Sequence, residues 1–265
     1  MSYRLCLLWL FLFFGASVSA QDAADESSKS ETKSEDAAPV ENPEEARFKH
    51  LVGEIRKHIE NVDPRNFEIP DFQKGKDWFN SPPLSFSKEL KGKIVILDFW
   101  TYCCINCIHI LPDLAQLETK YAGQPVAFIG VHSKKFANEG ESENIRHAVL
   151  RYEIDHPVVN DDEMFIWRQI GVRSWPTLAV VGPKGNLLLM ASGEGNKDVI
   201  DATIQAALDY YPAEIFRHDP LPHTPEAKKV EKTPLRYPGK LAVDAAKKRK
   251  PVEYTFCGSS NYRTL

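Results

Sequence analysis

The stretch Ile96–Cys107, ILDFWTYCCINC, decides the fold. Its first half completes the apolar run Lys93–Trp100 (KIVILDFW), interrupted by Asp98, as a central parallel strand covered on both faces requires. Its second half crowds three of the chain's five cysteines into five residues. Cys104-Ile105-Asn106-Cys107 is a C-x-x-C placed where a strand ends and a helix begins, and at this spacing the two sulfurs can bridge across the first helical turn. At the helix N-terminus Cys104 meets unpaired backbone N–H groups and the positive end of the dipole, which favour its thiolate and make it the natural nucleophile. Cys107, one turn inside, is expected to be more buried and to act second, attacking the mixed disulfide to release the reduced substrate. Asp98, six residues before Cys104 in an otherwise apolar strand, is expected to accept and return the proton of Cys107. The plainer reading of Asp98 is a strand-edge carboxylate bonded to backbone, but a buried Asp is rare without a reason.

Outward from this stretch the pattern is regular. Pro125–Val131 (PVAFIGV) reads as a second buried strand, and the helical periodicity of Leu111–Tyr121 supplies a right-handed crossover between the two. Ser142–Tyr152 is an amphipathic helix, HPVV (156–159) a short strand, and Glu163–Ile170 a helix ended by Gly171. TLAVVG and NLLLMAS are apolar strands joined by Pro183-Lys184-Gly185-Asn186, a hairpin signal, and Asp198–Tyr210 is a closing helix. The order predicts an α/β fold, a three-layer α/β/α sandwich with a mixed central sheet and an inserted helix and strand. Upstream, residues 44–66 carry a helical stripe of Phe48, Leu51, Val52, Ile55 and Ile59, with Asn42 as cap and Pro43 in the first turn.

ILDFWTYCCINC, Pro112 five residues after the second cysteine, and GVRSWPT before a β-hairpin together resemble the thioredoxin superfamily. The resemblance covers roughly residues 91–210, and the insertion after GVHSKKF is similar to the TlpA-like, peroxiredoxin-related branch. It implies a thioredoxin-like fold, with Asp98 as the buried acid, Cys104 as nucleophile, Cys107 as resolving cysteine and a redox-active Cys104–Cys107 disulfide. It also implies a cis-proline at Pro176 and, with Trp175, a place for an extended substrate strand. The implied partners are protein thiols and disulfides and an upstream redox partner, with no cofactor and no metal. FWTYCCINC followed by TPLRYPGKLAVD (233–244) further resembles thioredoxin-like domains that precede an NHL-repeat propeller, so residues 213–265 are expected to be a linker and a tail resembling the start of such a repeat, cut short before the propeller. Thioredoxins usually carry Trp before the nucleophile, where this chain has Cys103.

Composition bounds the remaining readings. The chain has 265 residues, 43% hydrophobic and 26% charged, consistent with one ordinary domain carrying extensions (67–212 for the domain), and its net charge of -4 gives no global field to recruit nucleic acid. Residues 1–20 read as a signal peptide: Arg4, an apolar run over Leu5–Phe14, and Val18-Ser19-Ala20 as a cleavage site. That run of about 10 residues, at about 1.5 Å each, covers about half of a bilayer core, which disfavours membrane anchoring. Residues 21–43 are an acidic spacer too poor in large apolar side chains to order itself. Export is therefore expected, to the endoplasmic reticulum lumen, the periplasm or the outside, where disulfides persist. Zinc on Cys103, Cys104, Cys107 and His109 lacks a second ligand pair, and covalent haem needs a histidine where Ile108 stands. His109, His132 and His147 form no spacing with a nucleophile and read as surface or capping residues. The rival class is a redox-inactive thioredoxin-fold module that only binds partners.

Overall fold

The computed structural model describes residues 42–61, 69, 71–72 and 75–229, and the backbone of two further strands at 238–243 and 252–256. The signal-peptide and spacer readings, Cys6 and Cys257 lie outside the described residues.

Helix α1 (Pro43–Asn61) begins as its sequence dictates: the Glu44 N–H donates to Asn42 Oδ1 at 3.1 Å, and Glu44 and Glu45 occupy the first turn. Its apolar stripe buries Ile55 and Ile59. Then follow β1 (Trp78–Phe79), β2 (Ile94–Trp100), α2 (Ile105–Lys120), β3 (Val126–His132), α3 (Ser142–Arg151), β4 (Val158–Asn160), α4 (Phe165–Ile170), β5 (Thr177–Val181), β6 (Leu187–Ser192) and α5 (Lys197–Tyr210). Helix α4 stops at Gly171, whose φ of 81° is the left-handed cap that glycine adopts without steric cost.

The six strands form one mixed sheet in the order β1-β4-β3-β2-β5-β6. Strands β2, β3 and β4 are parallel; β5, β6 and β1 run antiparallel to their neighbours. Every residue of β2 is buried, which is why the run reads as continuously apolar. Its alternate residues serve two cores. Ile94 and Ile96 pack with Leu114 and Leu117 of α2, Ile200 and Ile204 of α5, and Ile55 and Ile59 of α1. Val95, Leu97 and Phe99 face the other way, onto Ile166, Trp167 and Ile170 of α4 and onto Ile69, Phe72 and Leu90. A third cluster near the strand ends joins Trp100, Cys107 and Phe79 to Ile145, Ala148 and Val149 of α3. The architecture is thus an α/β sandwich with a mixed sheet, as the alternation of elements predicts. Strand β1 falls in a segment with no alternating pattern and pairs with β4 as a two-residue edge.

Residues 213–229 lie against the domain through backbone contacts that a linker composition does not foreshadow. Lys93 Nζ donates to the carbonyls of Arg217 and Asp219 at 2.7 and 2.6 Å, and the Arg217 N–H donates to Gly92 O at 2.9 Å. Further along, the N–H groups of Thr224 and Glu226 donate to Asn80 O and Asn80 Oδ1 at 2.7 and 2.9 Å. The short helix α6 (Glu226–Lys229) ends this run, with buried Glu226 paired to Arg146 of α3 at 3.4 Å. Strands β7 (Pro238–Val243) and β8 (Val252–Phe256) pair antiparallel as a separate two-stranded sheet.

Candidate active site

The junction of β2 and α2 places the cysteines. Cys104 is the N-cap of α2 with extended backbone (φ −100°, ψ 108°), and its Sγ accepts from the Cys107 N–H at 3.4 Å. The cap role fixes the sulfur over the first turn, so Cys104 is half-buried while Cys107 is fully buried. All three cysteines of the motif are free thiols. Desolvation first, then the hydrogen bond to Cys104, and the charges of Asp98 and Cys104 push the Cys107 thiol well above its ordinary value. A thiol in that state gives up its proton only to a base.

Asp98 is 2% exposed and neither carboxylate oxygen finds a hydrogen-bond partner among the described residues. It is therefore not the backbone-bonded carboxylate of the plainer reading. Burial pushes its carboxyl up to about 7, with His156 opposing the rise and Glu118 adding to it. An acid with that midpoint exists in both forms near neutrality, as a group that takes and returns a proton must.

Trp175–Pro176 is a cis peptide. Pro176 is buried and its carbonyl accepts from the Gly193 N–H at 2.9 Å. The Trp175 indole donates to Ser133 O at 3.0 Å, and its ring lies 4.3 Å from that of Trp167. Cys104, Cys107 and Trp175 pack into one cluster with Trp100, so the pre-hairpin turn and the cysteine turn, about 70 residues apart in the chain, meet at one end of the sheet. Ile105 and Phe136 are exposed large apolar side chains, at 61% and 55%.

Four polar residues at the site, His132, Glu139, His156 and Glu118, escape a reading by sequence spacing. His132 is fully buried rather than on the surface: it ends β3 opposite Trp100, lies edge-on to that indole at 5.1 Å, and is stacked by Tyr102 at 5.4 Å. Desolvation lowers its imidazole to about 4. Glu139, also fully buried, accepts the N–H groups of Lys135 and Phe136 at 2.5 and 2.8 Å. Cys103 is exposed as a residue, yet desolvation of its sulfur and then the neighbouring Glu139 carboxylate push its thiol up to about 11. His156 and Glu118 form a further pair at 2.8 Å beneath the motif. Among the described residues, no three His, Cys, Asp or Glu side chains converge to hold a metal ion, and no helix is long and apolar enough to cross a membrane.

The comparisons with known proteins agree with this arrangement. The Thioredoxin-like family matches residues 92–187, from the turn before β2 to the start of β6. The chain is 50% identical over 185 residues to Protein SUPPRESSOR OF QUENCHING 1, chloroplastic, of Arabidopsis thaliana, covering 68% of this chain and 18% of that protein. It is 43% identical over 195 residues to NHL repeat-containing protein 2 of Homo sapiens, covering 72% of this chain and 27% of that one. Both relatives are several times longer than the segment they share with it. It is also 29% identical over 114 residues to thiol-disulfide oxidoreductase ResA of Halalkalibacterium halodurans, covering 43% of this chain and 62% of that one. A solved thioredoxin-like superfamily protein superposes with a TM-score of 0.50 at 20% identity, over 54% of this chain and 96% of that one, which shows the shared fold. Residues 92–187 are therefore a thioredoxin-like domain, related to thiol-disulfide oxidoreductases.

Proposed function

We propose that this chain is an exported thiol-disulfide oxidoreductase that exchanges a Cys104/Cys107 dithiol with disulfides of protein substrates. The observation that carries the reading is the pairing of an accessible sulfur at a helix N-cap with a buried thiol one turn inside, above a buried carboxylate without a hydrogen-bond partner among the described residues. The likeness to an oxidoreductase supports the reaction class, and the signal-peptide pattern of residues 1–20 supports export.

In the reducing direction the Cys104 thiolate attacks one sulfur of a substrate disulfide. A Cys104–substrate disulfide forms, and the other substrate sulfur leaves as a thiolate that takes a proton from solvent. Asp98, ionised, then accepts the proton of Cys107. The Cys107 thiolate attacks Cys104 Sγ, forming the Cys104–Cys107 disulfide and breaking the mixed one. The departing substrate thiolate takes the proton back from Asp98. Two thiols of the chain are oxidised and one substrate disulfide is reduced to two thiols. The oxidised chain performs the reverse with dithiol substrates. Trp175 and Pro176 hold the substrate strand against Cys104, and exposed Ile105 and Phe136 give that strand apolar contact.

The test is insulin reduction by the full chain beside Cys104→Ser. Activity falling to background in the variant is the expected result. Equal activity in both would remove the enzyme reading and favour the partner-binding module.

A further inference from the structure

Asp98 on β2 stands opposite Gly130 on β3 in the parallel register. A side chain at position 130 has no room: a Cβ there would come within 3.1 Å of Trp100 Nε1 and 3.2 Å of His156 Nε2. The two ring nitrogens thus lean over the bare position beside Asp98, from the same strand and from the loop before β4. These nitrogens and both Asp98 oxygens are buried, and none has a hydrogen-bond partner among the described residues. Two acceptors, the indole donor and a ring nitrogen that donates once the imidazole is protonated, all orphaned, share one small patch, and buried polar atoms of this kind are costly unless they serve one another or a function.

His156 is built to carry charge here. Its side chain is 6% exposed, and its Nδ1 sits 2.8 Å from Glu118 Oε1 on α2. A carboxylate on Nδ1 fixes that nitrogen as the protonated one, which leaves Nε2 turned toward the Asp98 patch. Desolvation would discharge the ring, but the hydrogen bond and charge of Glu118, followed by the charges of Asp98 and Asp155, outweigh it and raise the imidazole above its usual value. We infer that Glu118 and His156 form a counter-ion pair for Asp98: Glu118 orients the imidazolium, and its Nε2 side stabilises the Asp98 carboxylate so that it serves as the base for Cys107. His156 and Glu118 are positioning residues; they touch neither sulfur nor substrate. The inference rests on the dithiol-exchange reading and adds to it the device that keeps a fully buried acid ionisable.

The other titratable groups around the pair are accounted for. Cys107 on α2 holds its proton and His132 on β3 is neutral near pH 7, so neither supplies a competing charge. Arg151, Glu153 and Asp155 line the cleft of about 520 Å³ beside the pair, and Lys93, His218 and Asp219 line a second one that Glu118 and His156 also border.

The experiment titrates the Asp98 carboxyl by ¹³C NMR in the reduced full chain, using Asp98→Asn to assign the signal, and records the pH profile of insulin reduction on the same samples. With His156→Gln the Asp98 midpoint is expected to rise by about one pH unit or more, because an opposite charge at close range has been removed. The acidic limb of the activity profile should rise with it. Glu118→Gln keeps the ring in place and should move both the same way by less, with the His156 imidazole titrating lower. An Asp98 midpoint unmoved in both variants overturns the inference. So does a uniform loss of rate at every pH with no shift of the limb, which is the signature of a packing role. If wild type reduces insulin and the variants do not shift, the pair alone is lost. If wild type fails to reduce insulin, the exchange reading is lost and the inference with it.

Discussion

Two buried acids flank the cysteine turn, and they are treated oppositely. Glu139 is closed to solvent, and against the desolvation that opposes it the Cys103 thiol, followed by two backbone N–H groups, holds its carboxyl below the ordinary range. Asp98 is more deeply buried and receives none, so desolvation pushes its carboxyl up to about 7. Both are closed to solvent, but Asp98 lies deeper and accepts no hydrogen bond, and these two differences together set the charge. Glu139 is a standing anion beside Cys103, and it helps keep that thiol protonated. Asp98 is an acid poised near neutrality beneath Cys107, and it is equipped to move a proton. On the proposed exchange reading, one motif of three cysteines therefore contains a quiet side and a working side.

The largest expected effect comes from removing the charge on the working side. Asp98→Asn should slow insulin reduction at pH 7 by about 10²-fold, the usual weight of a positioned acid or base. The same change should stabilise the fold at high pH. The folded-state midpoint of about 7 lies above the unfolded value of 3.8, so between these pH values the native state binds more protons and wild-type stability falls as pH rises. The advantage of the variant should therefore grow by about 4 kcal/mol between pH 4 and pH 8, read by denaturant unfolding at each pH. An advantage independent of pH would mean that Asp98 does not titrate in this window.

Breaking the quiet side should cost less and show the opposite pH dependence. Glu139→Gln should destabilise the domain by about 1–3 kcal/mol at pH 7, the range for weakening a buried, charge-assisted contact. Glu139 titrates below 4.5 in the folded chain, so its contribution is present above that value and is lost as pH falls through the folded midpoint. The deficit of the variant should accordingly shrink below pH 4. In the same variant Cys103 should react faster with iodoacetamide at pH 8, because the carboxylate that helps keep it a thiol is gone. The smallest effect is expected for Cys103→Ser, which should change stability by less than about 0.5 kcal/mol and leave insulin reduction intact. Loss of activity in that variant would place Cys103 on the working side after all.

The fold was largely legible in the sequence, and for a physical reason. Strands buried on both faces must be apolar throughout, and β2, β3 and β5 announce themselves that way. A cysteine pair at a strand-to-helix junction is likewise a local signal, and the structure places Cys104 at the cap and Cys107 inside the first turn. What escaped were contacts made across the chain. His156 and Glu118 lie 38 residues apart and Asp98 farther still, so no spacing connects them. Their trace in the sequence is Gly130, an isolated glycine in an apolar strand, which signals close approach by another group. His132 reads as a surface or capping residue because it forms no spacing with a nucleophile; here β3 carries it under Tyr102 and against Trp100. Residues 213–229 read as a linker because they lack periodicity, yet they are held through main-chain groups to Lys93, Gly92 and Asn80, and backbone contacts leave no residue pattern.

The central claim is that Cys104 and Cys107, and not Cys103, form the exchanging pair. It is tested most directly by equilibrating the full chain in a series of dithiol and disulfide buffers, quenching with acid, alkylating the free thiols and mapping the remaining disulfide by peptide mass spectrometry. The account predicts one Cys104–Cys107 disulfide that appears and disappears as a two-electron couple while Cys103 stays alkylated throughout. A Cys103–Cys104 disulfide, or three free thiols across the whole series, would contradict it.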